Sequence, residues 1–186
     1  MPYVSVNGVD HYYEWISTQD HPGNYEKPVM VFLHGWAGSA RYWRSTAEAI
    51  KDRFDCLLYD QRGFGRSKAL TSEQLAANPS LNTLESFAED LNIFLDELNL
   101  TQPVYMNAHS MGGSIGLYFL DLYPERVKKA ILTCNGSFPY QKWAFEAFYL
   151  FGGYVVAFRP KWLDKIPFAP QMFMQRFLKR SIPLEE

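Results

Sequence analysis

Ser110 stands in the run Ala108-His109-Ser110-Met111-Gly112-Gly113, behind the strand-type residues Val104, Tyr105 and Met106 and ahead of an apolar stretch with helical spacing. A serine between a strand and a helix sits on a sharp turn. Small residues two places before and after it, here Ala108 and Gly112, let the backbone take that bend. The pattern fits a G-x-S-x-G elbow with alanine in place of the first glycine. Its chemistry is nucleophilic, because the helix that begins at the serine aims N–H groups and the positive end of its dipole at the hydroxyl and at any oxyanion formed there. Serines flanked by small residues also occur in ordinary turns, so the surroundings must give these five residues their meaning.

Two more clusters stand behind strand-type runs. His34-Gly35-Trp36-Ala37-Gly38 follows VMVFL, and Asp60-Gln61-Arg62-Gly63-Phe64-Gly65-Arg66-Ser67 follows LLY. The elements that carry them read as an alternation. VSV, Asn7-Gly8 and VDHYYEWI form a hairpin around a favoured two-residue turn. VMVFL (29–33) and FDCLLY (54–59) are continuously apolar, as strands buried on both faces of a parallel sheet are. A helical stretch spans about 41–51. A longer one spans about 84–98, with Leu84, Phe87, Ala88, Leu91, Phe94, Leu95 and Leu98 on one stripe and Asn82 or Thr83 as its cap. A strand at 103–107, a helix at 111–122 and a strand at 127–133 complete a doubly wound, mostly parallel α/β sheet. In such sheets ligands bind at the carboxyl ends of the strands, where all three clusters stand.

In these three motifs and their order the chain resembles the alpha/beta-hydrolase superfamily, in its cap-bearing serine hydrolase branch. The likeness runs from the N-terminal hairpin to about residue 134. HGWAG resembles the H-G-x-x-G oxyanion loop, which implies that the backbone N–H groups of Trp36 and Met111 stabilise an oxyanion, with His34 and Gly35 shaping the loop. Such donors each supply about 2.7–4 kcal/mol of transition-state stabilisation. DQRGFGRS resembles the D-x-R-G-x-G-x-S turn, with Asp60 and Arg62 as scaffold, and His109 reads as a local packing or capping residue. Epoxide hydrolases and haloalkane dehalogenases of the same superfamily carry an aspartate at the elbow. Ser110 implies instead an acyl-enzyme and a hydrophobic ester or related acyl substrate.

The base that would take the Ser110 proton is expected after Ser110 in chain order, preceded by an Asp or Glu. The four histidines are His11, His21, His34 and His109, and none follows it. The strand at 127–133 leads into Cys134-Asn135-Gly136-Ser137, which has no carboxylate. The resemblance therefore implies a C-terminally truncated serine hydrolase that lacks its last strands, its acid and its histidine. A sheet cut there exposes the strand at 127–133 as an apolar edge open to self-association. A second reading is a non-catalytic binding protein on the same fold.

Residues 1–137 read as the core and 138–186 as a helical cap or lid. The latter segment holds thirteen aromatic residues and seven Lys or Arg against four Asp or Glu. Its basic, aromatic character also admits peripheral contact with a membrane surface. The whole chain is 47% apolar and 20% charged, with a net charge of −2 over 186 residues, which suits a globular core and gives no reason to expect a nucleic-acid partner. Cys56 and Cys134 both stand in apolar runs and read as buried thiols of a reducing compartment, and no basic and apolar leader is visible, so a cytoplasmic location is expected. No apolar run reaches the ~20 residues of a spanning helix. No metal-ligand spacing occurs, and the chemistry implied needs no cofactor.

Overall fold

A computed structural model describes residues 2–135, 141–143, 146, 147 and 149–151. The chain divides into two compact units, Met1–Ser137 and Phe138–Glu186. In the second, residues 142, 143, 146, 147 and 149–151 are helical, and the rest of the expected cap lies outside the described residues. The first unit carries the three motifs.

Its strands are β1 (Tyr3–Val6), β2 (Val9–Ile16), β3 (Val29–Leu33), β4 (Asp55–Tyr59), β5 (Val104–His109) and β6 (Val127–Thr133). They lie in one sheet in the order β1-β2-β4-β3-β5-β6. β1, β2 and β4 pair antiparallel, while β4, β3, β5 and β6 run parallel. The Asn7-Gly8 turn takes positive φ at both residues, 51° and 76°, as a tight hairpin with right-handed strand twist requires.

The continuous apolar runs follow from burial on two faces. Val31, Leu33, Leu57, Tyr59 and Met106 face α3 (Leu84–Glu97) and α4 (Met111–Leu122), where Leu91, Phe94, Ile115 and Phe119 pack on them. Met30, Phe32, Cys56 and Leu58 face the other way, beneath Trp43 and Ala47 of α1 (Arg44–Ile50) and the 3₁₀ turn Ala40–Trp43 that precedes it. At roughly 25 cal/mol per Å² of apolar surface removed from water, these two layers are the main favourable term of the fold. α4 comes close to the sheet through Gly116, where a Cβ would stand 3.0 Å from Met106 Sδ and 3.1 Å from Leu132 Cδ2.

The structure departs from the sequence reading in three places. The helix expected over 41–51 is a 3₁₀ turn followed by α1. α2 (Ser72–Ala77) and the 3₁₀ turn Pro79–Asn82 occupy a stretch where no element was expected; α2 buries no residue, so it leaves no apolar period to read. Cys134 is exposed, not buried, because it lies one residue past the end of β6 in the left-handed region, φ 53°.

Candidate active site

β5 ends at His109 and α4 begins at Met111, which leaves Ser110 alone at the junction with φ 55° and ψ −121°. A non-glycine residue held there costs on the order of 1–3 kcal/mol and persists only where its surroundings enforce it. The enforcing bonds are visible. Ser110 N–H donates to Thr133 O at 2.9 Å, which ties it to the end of β6, and Ser110 O accepts from Ser114 N at 3.1 Å within α4. The Ser110 hydroxyl does not cap its own helix.

Gly112 has a packing reason beyond the bend. A Cβ there would lie 2.6 Å from His34 O and 2.7 Å from Leu33 O, so the first turn of α4 sits directly on the end of β3. That approach joins the elbow to the HGWAG loop. A Cβ on Gly35 would lie 3.1 Å from Ser110 Cβ and 3.3 Å from His109 Nδ1. Trp36, 52% exposed, and Met111 line one cavity of about 350 Å³, together with Arg62, Phe64, Leu84 and Phe87.

Asp60 is fully buried at the end of β4. One oxygen accepts the Ala40 N–H at 2.6 Å, and the other accepts the Arg66 backbone N–H at 2.8 Å and Arg66 Nε at 2.7 Å. Burial by itself would push this carboxyl up; the Arg66 side chain and the two amides outweigh it and hold the group below the ordinary aspartate range. Gly65 lies so close that a Cβ would collide with the carboxylate. Asp60 thus ties the turn after β4 to the 3₁₀ turn Ala40–Trp43.

None of the four histidines is hydrogen-bonded to the Ser110 hydroxyl. His34 is fully buried beside the elbow, and both ring nitrogens are engaged: Nε2 accepts the Gln61 N–H at 3.0 Å, which leaves the proton on Nδ1 to donate to Gly35 O at 2.8 Å. Gln61 Nε2 also donates to His34 O at 2.6 Å. Burial holds this imidazole below its ordinary range, so it is a neutral fastener between two loops with no lone pair to spare. His109 packs edge-on against the Tyr42 ring at 5.8 Å. His21 is exposed in the loop after β2, and His11 is fully buried on β2. Among the described residues no group of three or more His, Cys, Asp or Glu is arranged to hold a metal ion. No described helix is long and apolar enough to cross a membrane.

The sequence reading passed over a buried polar cluster behind the cavity. Arg62 lies over the Phe87 ring at 4.7 Å, donates from Nη2 to Leu81 O and to Ser86 Oγ (3.0 Å), and pairs through Nη1 with Asp90 Oδ2 at 2.6 Å. Asn7 Nδ2 donates to Asp90 Oδ1 at 3.0 Å. His11 Nε2 stands 3.9 Å from Asp90 Oδ2. The one signal available was Asp90 itself, a carboxylate between Phe87 and Leu91 on an otherwise apolar helix face.

Residues 28–173 match the family model described as the alpha/beta hydrolase fold. Over 109 residues the chain is 30% identical to cis-3-alkyl-4-alkyloxetan-2-one decarboxylase of Shewanella oneidensis, covering 59% of this chain and 33% of that protein. Over 120 residues it is 30% identical to epoxide hydrolase 1 of Caenorhabditis elegans, covering 62% of this chain and 28% of that protein. The chain thus spans about a third of the length of these curated relatives. Among solved structures, a thermophilic esterase from Thermogutta terrifontis superposes with a TM-score of 0.68 at 22% identity, over 89% of this chain and 58% of that one.

Proposed function

The chain belongs to the alpha/beta hydrolase fold family, and from that premise we propose that it is a serine hydrolase of the esterase type. Ser110 is the nucleophile, and the backbone N–H groups of Trp36 and Met111 receive the oxyanion. The observation that carries this reading is the contact of Gly35 with Ser110 at a strained elbow, beside a cavity that Trp36 and Met111 share. The Ser110 oxygen attacks the ester carbonyl, the carbonyl electrons move onto the oxygen facing those two amides, and collapse expels the alcohol with a proton to leave an acyl-serine that water cleaves. A hydroxyl at the elbow favours acyl transfer over the alkyl-ester chemistry of aspartate-bearing members.

His34 has both ring nitrogens engaged, so it does not serve as the base that takes the Ser110 proton. Trp36, Phe64, Leu84, Phe87 and Met111 favour a small hydrophobic ester or acyl substrate. The test is labelling by a fluorophosphonate of the 186-residue chain and of the gene product read through the end of its frame. Efficient labelling at Ser110 of the longer product only, lost in Ser110→Ala, is expected. Rapid labelling of the 186-residue chain that disappears in His34→Ala overturns the assignment of His34. Absence of labelling in both, with ligand binding retained, replaces the catalytic reading with a binding protein.

A further inference from the structure

The cavity lined by Met111, the residue that follows Ser110, has two further walls from distant parts of the sequence. Gly63 and Phe64 belong to the turn after β4, while Asn82 ends the 3₁₀ turn before α3, Thr83 caps α3, and Leu84 and Phe87 stand in its first turn. Arg62 joins them, since its guanidinium reaches Leu81 O, Ser86 Oγ and Asp90 while its backbone stays with the first wall. Behind Arg62, Asp90 is 1% exposed and His11 is fully buried.

We infer that Asp90 is a positioning residue for this cavity and that His11 links its grip on Arg62 to pH: neutral His11 leaves Arg62 clamping the two walls, and protonated His11 releases it. The inference rests on reading the cavity as the place of an apolar acyl group.

The geometry gives the reason. His11 Nδ1 lies 3.0 Å from Val9 O, so in the neutral ring the proton sits on Nδ1 and Nε2 is bare. Nε2 has no hydrogen-bond partner among the described residues, and it faces the same carboxylate oxygen that Arg62 holds, at 3.9 Å against 2.6 Å. Asn7 occupies the other oxygen. A proton on Nε2 would set two buried cations against one carboxylate. Among the described residues no second carboxylate is within ion-pair distance of His11, and Asp10 favours its charged form less than Arg62 opposes it. Asp10, on the same strand, pairs with Lys68 at 2.7 Å, and the group that β4 packs on His11 is the Tyr59 ring, 6.2 Å away. Of the two cations only Arg62 borders open space, so it is the one that yields. Burial, with Arg62 adding to it, holds His11 below its ordinary range, which keeps the clamp closed at neutral pH.

The experiment uses the 186-residue chain labelled with ¹⁵N-histidine and ¹⁵N-tryptophan and the ketone 2-octanone, an apolar probe that cannot be hydrolysed. The His11 titration is followed by two-bond ¹H–¹⁵N spectra with and without probe, and the probe Kd is read from the Trp36 indole resonance. We expect the Kd to rise about fivefold between its neutral-pH limit and its low-pH limit, and saturating probe to lower the His11 midpoint by the logarithm of that factor, about 0.7 pH unit. His11→Gln should bind with a pH-independent Kd equal to the neutral wild-type value, and Asp90→Asn should bind weakly at every pH. His11→Gln decides the matter if Asp90→Asn does not fold. A Kd independent of pH in wild type, a His11 that stays neutral down to acid unfolding, or no binding of 2-octanone at pH 7.5 each overturns the inference. Fluorophosphonate labelling judges Ser110 separately, so loss of one reading is distinguishable from loss of the other.

Discussion

Gly112 and Gly35 show how far single atoms decide this site. A methyl at position 112 would meet backbone carbonyl oxygens at 2.6 and 2.7 Å, and neither can rotate away. Gly112→Ala is expected to cost about 1–3 kcal/mol in urea unfolding, the usual range for forced overpacking, and to lose Ser110 labelling in the full-length product. A methyl at position 35 meets the Ser110 side chain at 3.1 Å instead. Gly35→Ala should therefore leave the unfolding midpoint nearly unchanged while slowing labelling at least tenfold. Equal effects of Gly35→Ala on stability and labelling would contradict the placement of the HGWAG loop against the nucleophile.

At the scale of elements, the two capping boxes separate stability from shape. Thr83 caps α3, with its hydroxyl accepting from Ser86 N and Ser86 returning a bond to Thr83 N–H; α3 buries Phe87, Leu91, Phe94 and Leu95. Thr71 caps α2 by the same device with Gln74, but α2 buries nothing. Thr83→Ala should lower global stability by about 1 kcal/mol, a typical cost of a lost cap. Thr71→Ala should instead raise amide exchange within α2 and leave the urea midpoint nearly in place, because an element without buried contacts opens locally. β6 makes a different prediction. Among the described residues it stands at the end of the sheet order without a partner on its outer side and with Ile131 54% exposed, a parallel edge of the kind that templates association. Ile131→Lys is expected to shift sedimentation of the 186-residue chain toward monomer. An unchanged profile would count against self-association through that edge.

For the whole molecule, the buried histidines set the acid response. His11 and His34 are both held below their ordinary range, chiefly by burial. The unfolded chain takes up their protons near pH 6.5 while the folded one does not, so the unfolded state binds more protons below that point and stability falls as pH falls. The slope should approach about 1.4 kcal/mol per pH unit for each histidine, starting near pH 6.5 and ending at each folded midpoint. Asp60, held low, withdraws further stability below the ordinary aspartate range, whereas burial raises Asp90 and works in the opposite sense. Urea midpoints measured from pH 8 to 5 check this; a flat profile would contradict the neutral state of both rings.

The alternation of elements, the sheet and the position of Ser110 could be read directly from the sequence because they rest on local signals. VMVFL and FDCLLY are continuous because both faces of their strands are covered, Leu84 to Leu98 repeat with the period of a helix, and Asn7-Gly8 carries its turn in its backbone preferences. Tertiary structure alone decided the rest. α2 could not be read because an unburied helix leaves no pattern, and Cys134 proved exposed because the end of β6 is itself open, Ile131 and Thr133 being exposed as well. The same limit applies to the site. That Gly35 leaves no room for a side chain beside Ser110, that His34 has both nitrogens occupied, and that Arg62, His11 and Asn7 share the Asp90 carboxylate are facts about residues separated by up to 83 positions. Such contacts follow from how the layers close on one another. Local propensity carries no record of them, since each of these polar residues read singly is as compatible with solvent as with the interior.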